Sequence, residues 1–413
     1  ADSERWAMGR LGYDDWNFMG EVQKEQRIRK ESKSKSSGSL KSSFVLICAV
    51  SLLSFLGLVC VYSASFPIAV KNGLNHYYYL INQCVYMAIG ILLFVLVNVL
   101  PTAAIKVLSP IFLFACIVVL GIDVFMDGSL LLSSDTIGFV YIAVVMYMSL
   151  YFANRHNSLT KLRQLLVPGV GCLLILALML LKKSFAYALM FLGVESVMFV
   201  AGGVGVFGMV LLLLYLLVPV LSVVFSKSDI LLAVARFLVP GSDSTSRAGQ
   251  VSAIRNSIAS GAWFGKGLGM GEYKTGEIAD MAGKCIFANI CEETGFFGAL
   301  VLIAAFLVLG FIGYRVARSL RRHDDFYSNM ALGCTTVVIW QMIINIAWLL
   351  GFVPGDGIPL PFFSYGLEVV PVLLACGLVY KASRQKPDID DPRVVETIQD
   401  ELMFPERYEF EKV

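Results

Sequence analysis

Two adjacent carboxylates, Glu292 and Glu293, open an apolar run in the segment ANICEETGFFG, and two lysines, Lys266 and Lys274, precede them in a glycine-rich stretch, GAWFGKGLGMGEYK. Glycines let backbone N–H groups converge on an anion, and lysines beside them add point charges, a pattern suited to a phosphate-bearing ligand. Arg247, Gln250 and Arg255 extend the basic segment upstream. A glycine run alone also serves ordinary turns; the flanking cations and the apolar run that follows point to a lipid carrying phosphate. Adjacent helix positions diverge by about 100°, so at most one of the two glutamates can face lipid. Either they begin a helix in headgroup water or they serve a site or a helix contact.

Downstream, Gln341 and Asn345 lie four residues apart and share one helix face, a placement suited to hydrogen bonds between helices. The segment that follows, GFVPGDGIPLPFFSYG over residues 351–366, is dense in glycine and proline and carries no lysine or arginine. Its backbone must hold a specific irregular shape near the membrane interface, with Pro361 and Ser364 inside it.

The elements that position these residues follow from composition. The chain is 57% hydrophobic and 15% charged, with a mean hydropathy of +0.73, too apolar for one water-soluble core. A formal net charge of +2 gives no ground for a nucleic-acid partner. About 20 helical residues cross an apolar layer. On that measure the sequence predicts an all-α integral membrane protein of ten transmembrane helices, near 43–66, 78–100, 104–126, 136–153, 164–181, 184–203, 204–226, 285–314, 330–351 and 367–381. One long extracytoplasmic loop, 227–284, separates the seventh span from the eighth. Of the 33 Lys and Arg, 23 fall in the tails and alternate connections, so both termini are expected in the cytoplasm.

Residues 1–42 form a basic cytoplasmic tail expected to be disordered, 43–381 the membrane domain, and 382–413 a soluble cytoplasmic tail. The first apolar run follows a long tail and is of spanning length, so it is expected to act as an anchor and not as a signal peptide. Seven of the nine cysteines fall inside apolar runs, and Cys285 and Cys291 have neither redox nor zinc spacing. No cofactor is evident, and no motif supplies a donor set for a divalent cation.

Several segments, taken in order, resemble the SEDS family (shape, elongation, division and sporulation), the FtsW, RodA and SpoVE type of cell-wall protein. They are GLVCVYSAS (Gly57 to Ser65), Gln83 at the second span, RAGQVSAIRNSIASGAWFGKGLGMG (Arg247 to Gly271), CIFANICEETGFFG (Cys285 to Gly298) and NIAWLLGFVPGDGIPLPFFSYG (Asn345 to Gly366). The resemblance covers nearly the whole membrane region, and the tails favour the division branch, FtsW-like. It implies a ten-helix peptidoglycan glycosyltransferase of the bacterial cytoplasmic membrane. Such a protein polymerises lipid II, the undecaprenyl-pyrophosphate disaccharide-pentapeptide, at the outer face, beside a class B penicillin-binding protein and other division or elongation proteins. The expected substrate-binding residues are Arg247, Gln250, Arg255, Lys266, Lys274, Glu292, Glu293, Asn345, Pro361 and Ser364.

Such a reaction needs a base for the acceptor hydroxyl and cations for the departing pyrophosphate. Lys284 stands where the resemblance places the essential aspartate, and a lysine with a pKa of about 10.4 is a poor base. Asp280, four residues earlier, and Glu277 are the displaced candidates. The external loop DGSLLLSSD lacks the family's tryptophan-containing segment, Lys182, Lys183 and Ser184 stand where the family has PDLG, and Leu367 and Glu368 replace small residues after the last motif. Three expectations stay open: an active polymerase using Asp280 or Glu277, a catalytically degenerate scaffold of the division machinery, and a flippase for a lipid-linked precursor.

Overall fold

The computed structural model describes residues 13–125, 137–154, 162–181, 185–203, 246–275, 278, 280–321, 324–353 and 357–385. Ten α-helices follow one another among them: α1 (Tyr13–Lys71), α2 (Tyr78–Val99), α3 (Thr102–Phe125), α4 (Ile137–Ala153), α5 (Leu162–Leu181), α6 (Phe185–Ala201), α7 (Ser246–Ser260), α8 (Ile286–Leu320), α9 (Asp325–Leu349) and α10 (Val369–Ser383). Five of these, α1 from Ser42, α2, α3, α8 and α9, are long and apolar enough to cross a membrane; α4, α6, α10 and α5 from Pro168 are shorter apolar helices. These nine coincide with nine of the ten expected spans, and the seventh, 204–226, lies outside the described residues. The fold is that of an all-helical, multi-pass membrane protein.

Helix α9 is the centre of the bundle and packs against α4, α6, α8 and α10. Its polar side chains Thr336, Gln341 and Asn345 are buried with the apolar ones. Peripheral helices show the reverse pattern. On α1, Leu53, Val61 and Ala64 face inward while Phe44, Leu52 and Phe55 face out, as expected where lipid replaces water around the bundle. Helix α10 lies along α2, and Lys381 reaches past it to donate to Leu100 O at 2.5 Å, satisfying a carbonyl left open where α2 ends.

Two elements differ from expectation. The backbone is helical from Tyr13, through most of the segment expected to be unfolded. Glutamate, lysine, arginine and glutamine are strong helix formers, and the span that follows supplies a nucleus from which the helix extends at little cost. Helix α8 has 35 residues, and the 25 that follow Gly295 make about 38 Å of helix. Its excess over the apolar layer carries Arg315, Arg318 and the neighbouring Arg321 out of the membrane.

Candidate functional site

Helix α8 is broken near its start. Gly295 has φ 69, a left-handed conformation, and the break leaves backbone groups on both sides without helical partners. The glycine-rich loop fills them. Lys266 N and Gly267 N donate to Glu292 O and Glu293 O at 3.0 and 2.9 Å, while Phe296 N and Phe297 N donate back to Ala262 O and Trp263 O at 2.9 and 3.2 Å. A side chain at Gly295 would meet the backbone of Trp263, Phe264 and Gly265, so this docking requires glycine.

The two glutamates then take one lysine each. Glu293 accepts from Lys274 Nζ at 2.7 Å and from Ser63 Oγ on α1 at 2.6 and 2.7 Å, with both charged side chains almost wholly buried. Glu292 accepts from Lys266 Nζ at 3.0 Å, from Glu272 N at 2.7 Å and from Ser257 Oγ on α7 at 3.2 Å. Lys266 also pairs with Glu272 at 3.3 Å. Its pKa is raised, chiefly by the hydrogen bond to Glu292, with partial desolvation opposing. Of the two readings of the glutamates the helix contact holds and headgroup water does not, while Lys274, expected to bind substrate, is enclosed in the frame and not open to an anionic ligand. The cause is the kink, which turns the first two turns of α8 inward against α1 and α7. Lys266 keeps a quarter of its side chain exposed.

The segment Gly357 to Gly366 is fixed from three sides. Gln83 on α2 donates to Ser364 O at 3.2 Å and accepts from Gly366 N at 3.0 Å. On α9, Gln341 donates to Pro359 O at 3.0 Å and Asn345 to Ile358 O at 2.5 Å. The partners of these two amides are therefore loop carbonyls, whereas the spacing predicted contacts between helices. Pro361 is buried within the loop, and Phe362 packs its backbone on Gly57 of α1.

That loop in turn holds the turn before α8. Ser364 Oγ accepts from Leu360 N at 2.6 Å and donates to Gly283 O at 2.9 Å, Tyr365 N donates to Ala282 O at 2.8 Å, and Asn345 Nδ2 also donates to Lys284 O at 2.9 Å. Asp280 is exposed, with φ 57, and its carboxylate accepts from Lys284 N at 3.2 Å. Lys284 is half-buried, and the structure holds it by its backbone at both ends. Between these charges Cys285 is buried, and its thiol is pushed up to about 12 by desolvation, then by Asp280, with Lys284 opposing.

The other expected residues distribute as follows. Arg255, on α7, is exposed and lays its guanidinium against Gly351, just past α9. Arg247 and Gln250 lie on the backbone of α7, with side chains outside the described residues, as is Glu277 altogether. Ser63 and Ser257 were not singled out from sequence; Ser63 was visible only as part of GLVCVYSAS. Glu368 is buried at the start of α10, its carboxylate pressed on Gly138 beside Pro371. Among the described residues, no three metal-ligating side chains converge.

A multi-pass helical bundle with a stapled loop and a clamped proline-rich segment at one rim defines the class of protein. The family described as cell cycle protein, that of FtsW, RodA and SpoVE, matches residues 43–388, and this chain belongs to it. Stage V sporulation protein E of Bacillus subtilis is 25% identical over 354 residues, covering 82% of this chain and 96% of that protein. A probable peptidoglycan glycosyltransferase FtsW of Geobacter sp. (strain M18) is 30% identical over 339 residues, covering 78% and 90%. Among solved structures, a chain of a peptidoglycan synthase complex that coordinates polymerization and crosslinking superposes with a TM-score of 0.67 at 22% identity, covering 84% of this chain and 98% of that one. The rod shape determining protein RodA of Thermus thermophilus gives 0.58 at 20%, covering 83% and 97%. These two likenesses establish the fold.

Proposed function

We propose that this chain is a SEDS-type peptidoglycan glycosyltransferase of the bacterial cytoplasmic membrane, with both termini inside, that binds lipid II at the outer face and works beside a class B penicillin-binding protein. The observation that carries the reading is the turn 280–285. It fixes an exposed carboxylate, Asp280, one turn from a cation, Lys284, on a backbone clamped by Ser364, Tyr365 and Asn345. In the reaction an acceptor sugar hydroxyl attacks the anomeric carbon of the donor, the bond to the pyrophosphate oxygen breaks, and the hydroxyl proton passes to Asp280. Lys284, Arg255 and the exposed part of Lys266 offer charge to the departing pyrophosphate.

The test is lipid II polymerisation by the chain reconstituted with a class B penicillin-binding protein. Polymer is expected from the native pair and its loss from Asp280→Asn, with the complex still co-purifying. A second reading has one specific observation in its favour, the lysine at position 284: the chain is then a scaffold that binds the partner and polymerises nothing. No polymer from the native pair, with Lys284→Asp also inactive, would overturn the enzymatic reading and leave the scaffold; failure of any class B protein to co-purify would count against both.

A further inference from the structure

The glycine-rich loop turns its lysines inward and its apolar side chains outward. Trp263, Phe264, Leu268 and Met270 are all exposed, Phe264 to 81%. They are not isolated. Trp263 packs edge-on to Phe296 at 5.5 Å between ring centroids, and Phe264 lies 5.3 Å from Phe297, itself 6.2 Å from Phe296. Four aromatic rings thus form one exposed cluster across the break in α8. The stapling of the loop to Glu292, Glu293, Phe296 and Phe297 makes that exposure a fixed feature of the fold.

The cluster continues a surface whose solvent is already determined. Phe297, Val301, Val308 and Phe311 are exposed and lie within about 80° on one face of α8, over about 21 Å of a membrane-spanning helix. That stripe faces lipid, and the aromatic cluster stands at its end with no charged side chain between. Tryptophan at the end of a span is the chemistry of the membrane–water boundary, where its amphipathic ring reaches headgroups with the indole N–H and acyl chains with the rest, and the phenylalanines beside it add apolar area for the acyl side. The loop backbone suits that depth. Gly265 N bonds Gly261 O, Lys266 N and Gly267 N bond α8, and Met270 N bonds Gly267 O, so much of its polar backbone is satisfied without water.

We propose that residues 262–270 form an interfacial lip that dips into the leaflet on the side of the long loop, the outer one in the orientation proposed above. Its partner is the lipid surface itself. Trp263 and Phe264 sit at the boundary of headgroups and acyl chains, while Lys266, anchored to Glu292, is held just above them at phosphate level. The inference rests on the membrane fold and not on the glycosyltransferase reading, and it stands whether or not the chain polymerises.

The experiment uses the full chain in phosphatidylcholine nanodiscs, with lipid brominated at shallow or deep acyl positions. The Trp263 fluorescence is the difference between the native chain and Trp263→Phe. The lip predicts loss of that component on shallow brominated lipid, less on deep, and no loss to aqueous iodide. Should Trp263→Phe fail to fold, Leu268→Trp adds a reporter whose extra signal is read in the same way. Quenching by iodide and indifference to brominated lipid would overturn the proposal. So would shielding from iodide that arises only when a class B penicillin-binding protein is added, since the patch would then be a protein interface.

Discussion

The buried pair of Lys274 and Glu293 offers the sharpest test of the frame, because its contacts with each other and with Ser63 are defined. The two side chains are 4% and 2% exposed, with Nζ and Oε1 2.7 Å apart. At an effective dielectric constant of about 20 their attraction is about 6 kcal/mol, and removing the ions from water cancels most of it. The pair is therefore worth little against an apolar replacement, but breaking it is costly. Lys274→Met leaves the Glu293 carboxylate buried with only the Ser63 hydroxyl, a loss expected at about 3–5 kcal/mol. Glu293→Leu alone leaves the ammonium facing Ser63 O at 3.3 Å and should cost a similar amount. The double variant should recover much of the loss, with a coupling energy of about 3 kcal/mol at the upper end for contacting residues. Unfolding in mixed micelles of SDS and dodecylmaltoside, followed by near-ultraviolet circular dichroism, measures all four corners of the cycle. A loss of about 1 kcal/mol or less for Lys274→Met, the size of an exposed pair, would refute the burial argument.

Three further outcomes follow from the same geometry. Gly295→Ala places a methyl group against the backbone of the docked loop at a φ of 69, so trypsin should cut the variant at Lys266 while the native loop resists. The Lys266 contact should depend on pH in one direction only: its folded pKa is raised, so its contribution is complete below the ordinary lysine value of 10.5 and is lost as pH rises through the folded value. Trp263 emission is therefore expected to stay constant through neutral pH and change only in strong alkali, a change that Lys266→Met abolishes. Gln83→Ala unpairs Ser364 O and Gly366 N inside the bundle, each about 1–3 kcal/mol, and should expose Cys285 to maleimide at neutral pH, where the buried native thiol, held at about 12, stays unlabelled.

Most of the spans were legible because lipid imposes a length and a composition on any helix that crosses it, and nine of the ten runs coincide with helices of the fold. The segment 357–366 was legible as irregular because its glycines and prolines exclude a helix, though not what it grips. The pairing of charges was hidden for a different reason. Glu293 meets Lys274 nineteen residues away and Ser63 two hundred and thirty away, and both contacts depend on a kink at Gly295 that the apolar pattern of α8 does not announce. Without it, the glycine-rich loop reads as an anion cradle, since its lysines look unpaired along the chain. Glu368 was visible as an odd residue, but only the fold shows its match with Gly138, whose missing side chain makes room for the carboxylate.

The frame also explains how a lysine can occupy position 284 without disturbing the fold. Residue 284 is held through its N–H, which donates to Asp280, and its carbonyl, which accepts from Asn345; neither contact involves the side chain. The adjoining carbonyls of Ala282 and Gly283 are likewise held by Tyr365 N and Ser364 Oγ. An aspartate or a lysine can therefore sit on the same clamped backbone, and exchanging them changes the charge at the rim while leaving its architecture alone. That separation makes Lys284→Asp a clean experiment: thermal stability should be unchanged, so any gain or loss of glycan polymerisation reports chemistry at the turn and not folding. Among the described residues, Lys274, Glu292 and Glu293 are enclosed within the frame, so the reaction proposed above draws on the more exposed charges of Asp280, Lys284, Arg255 and Lys266.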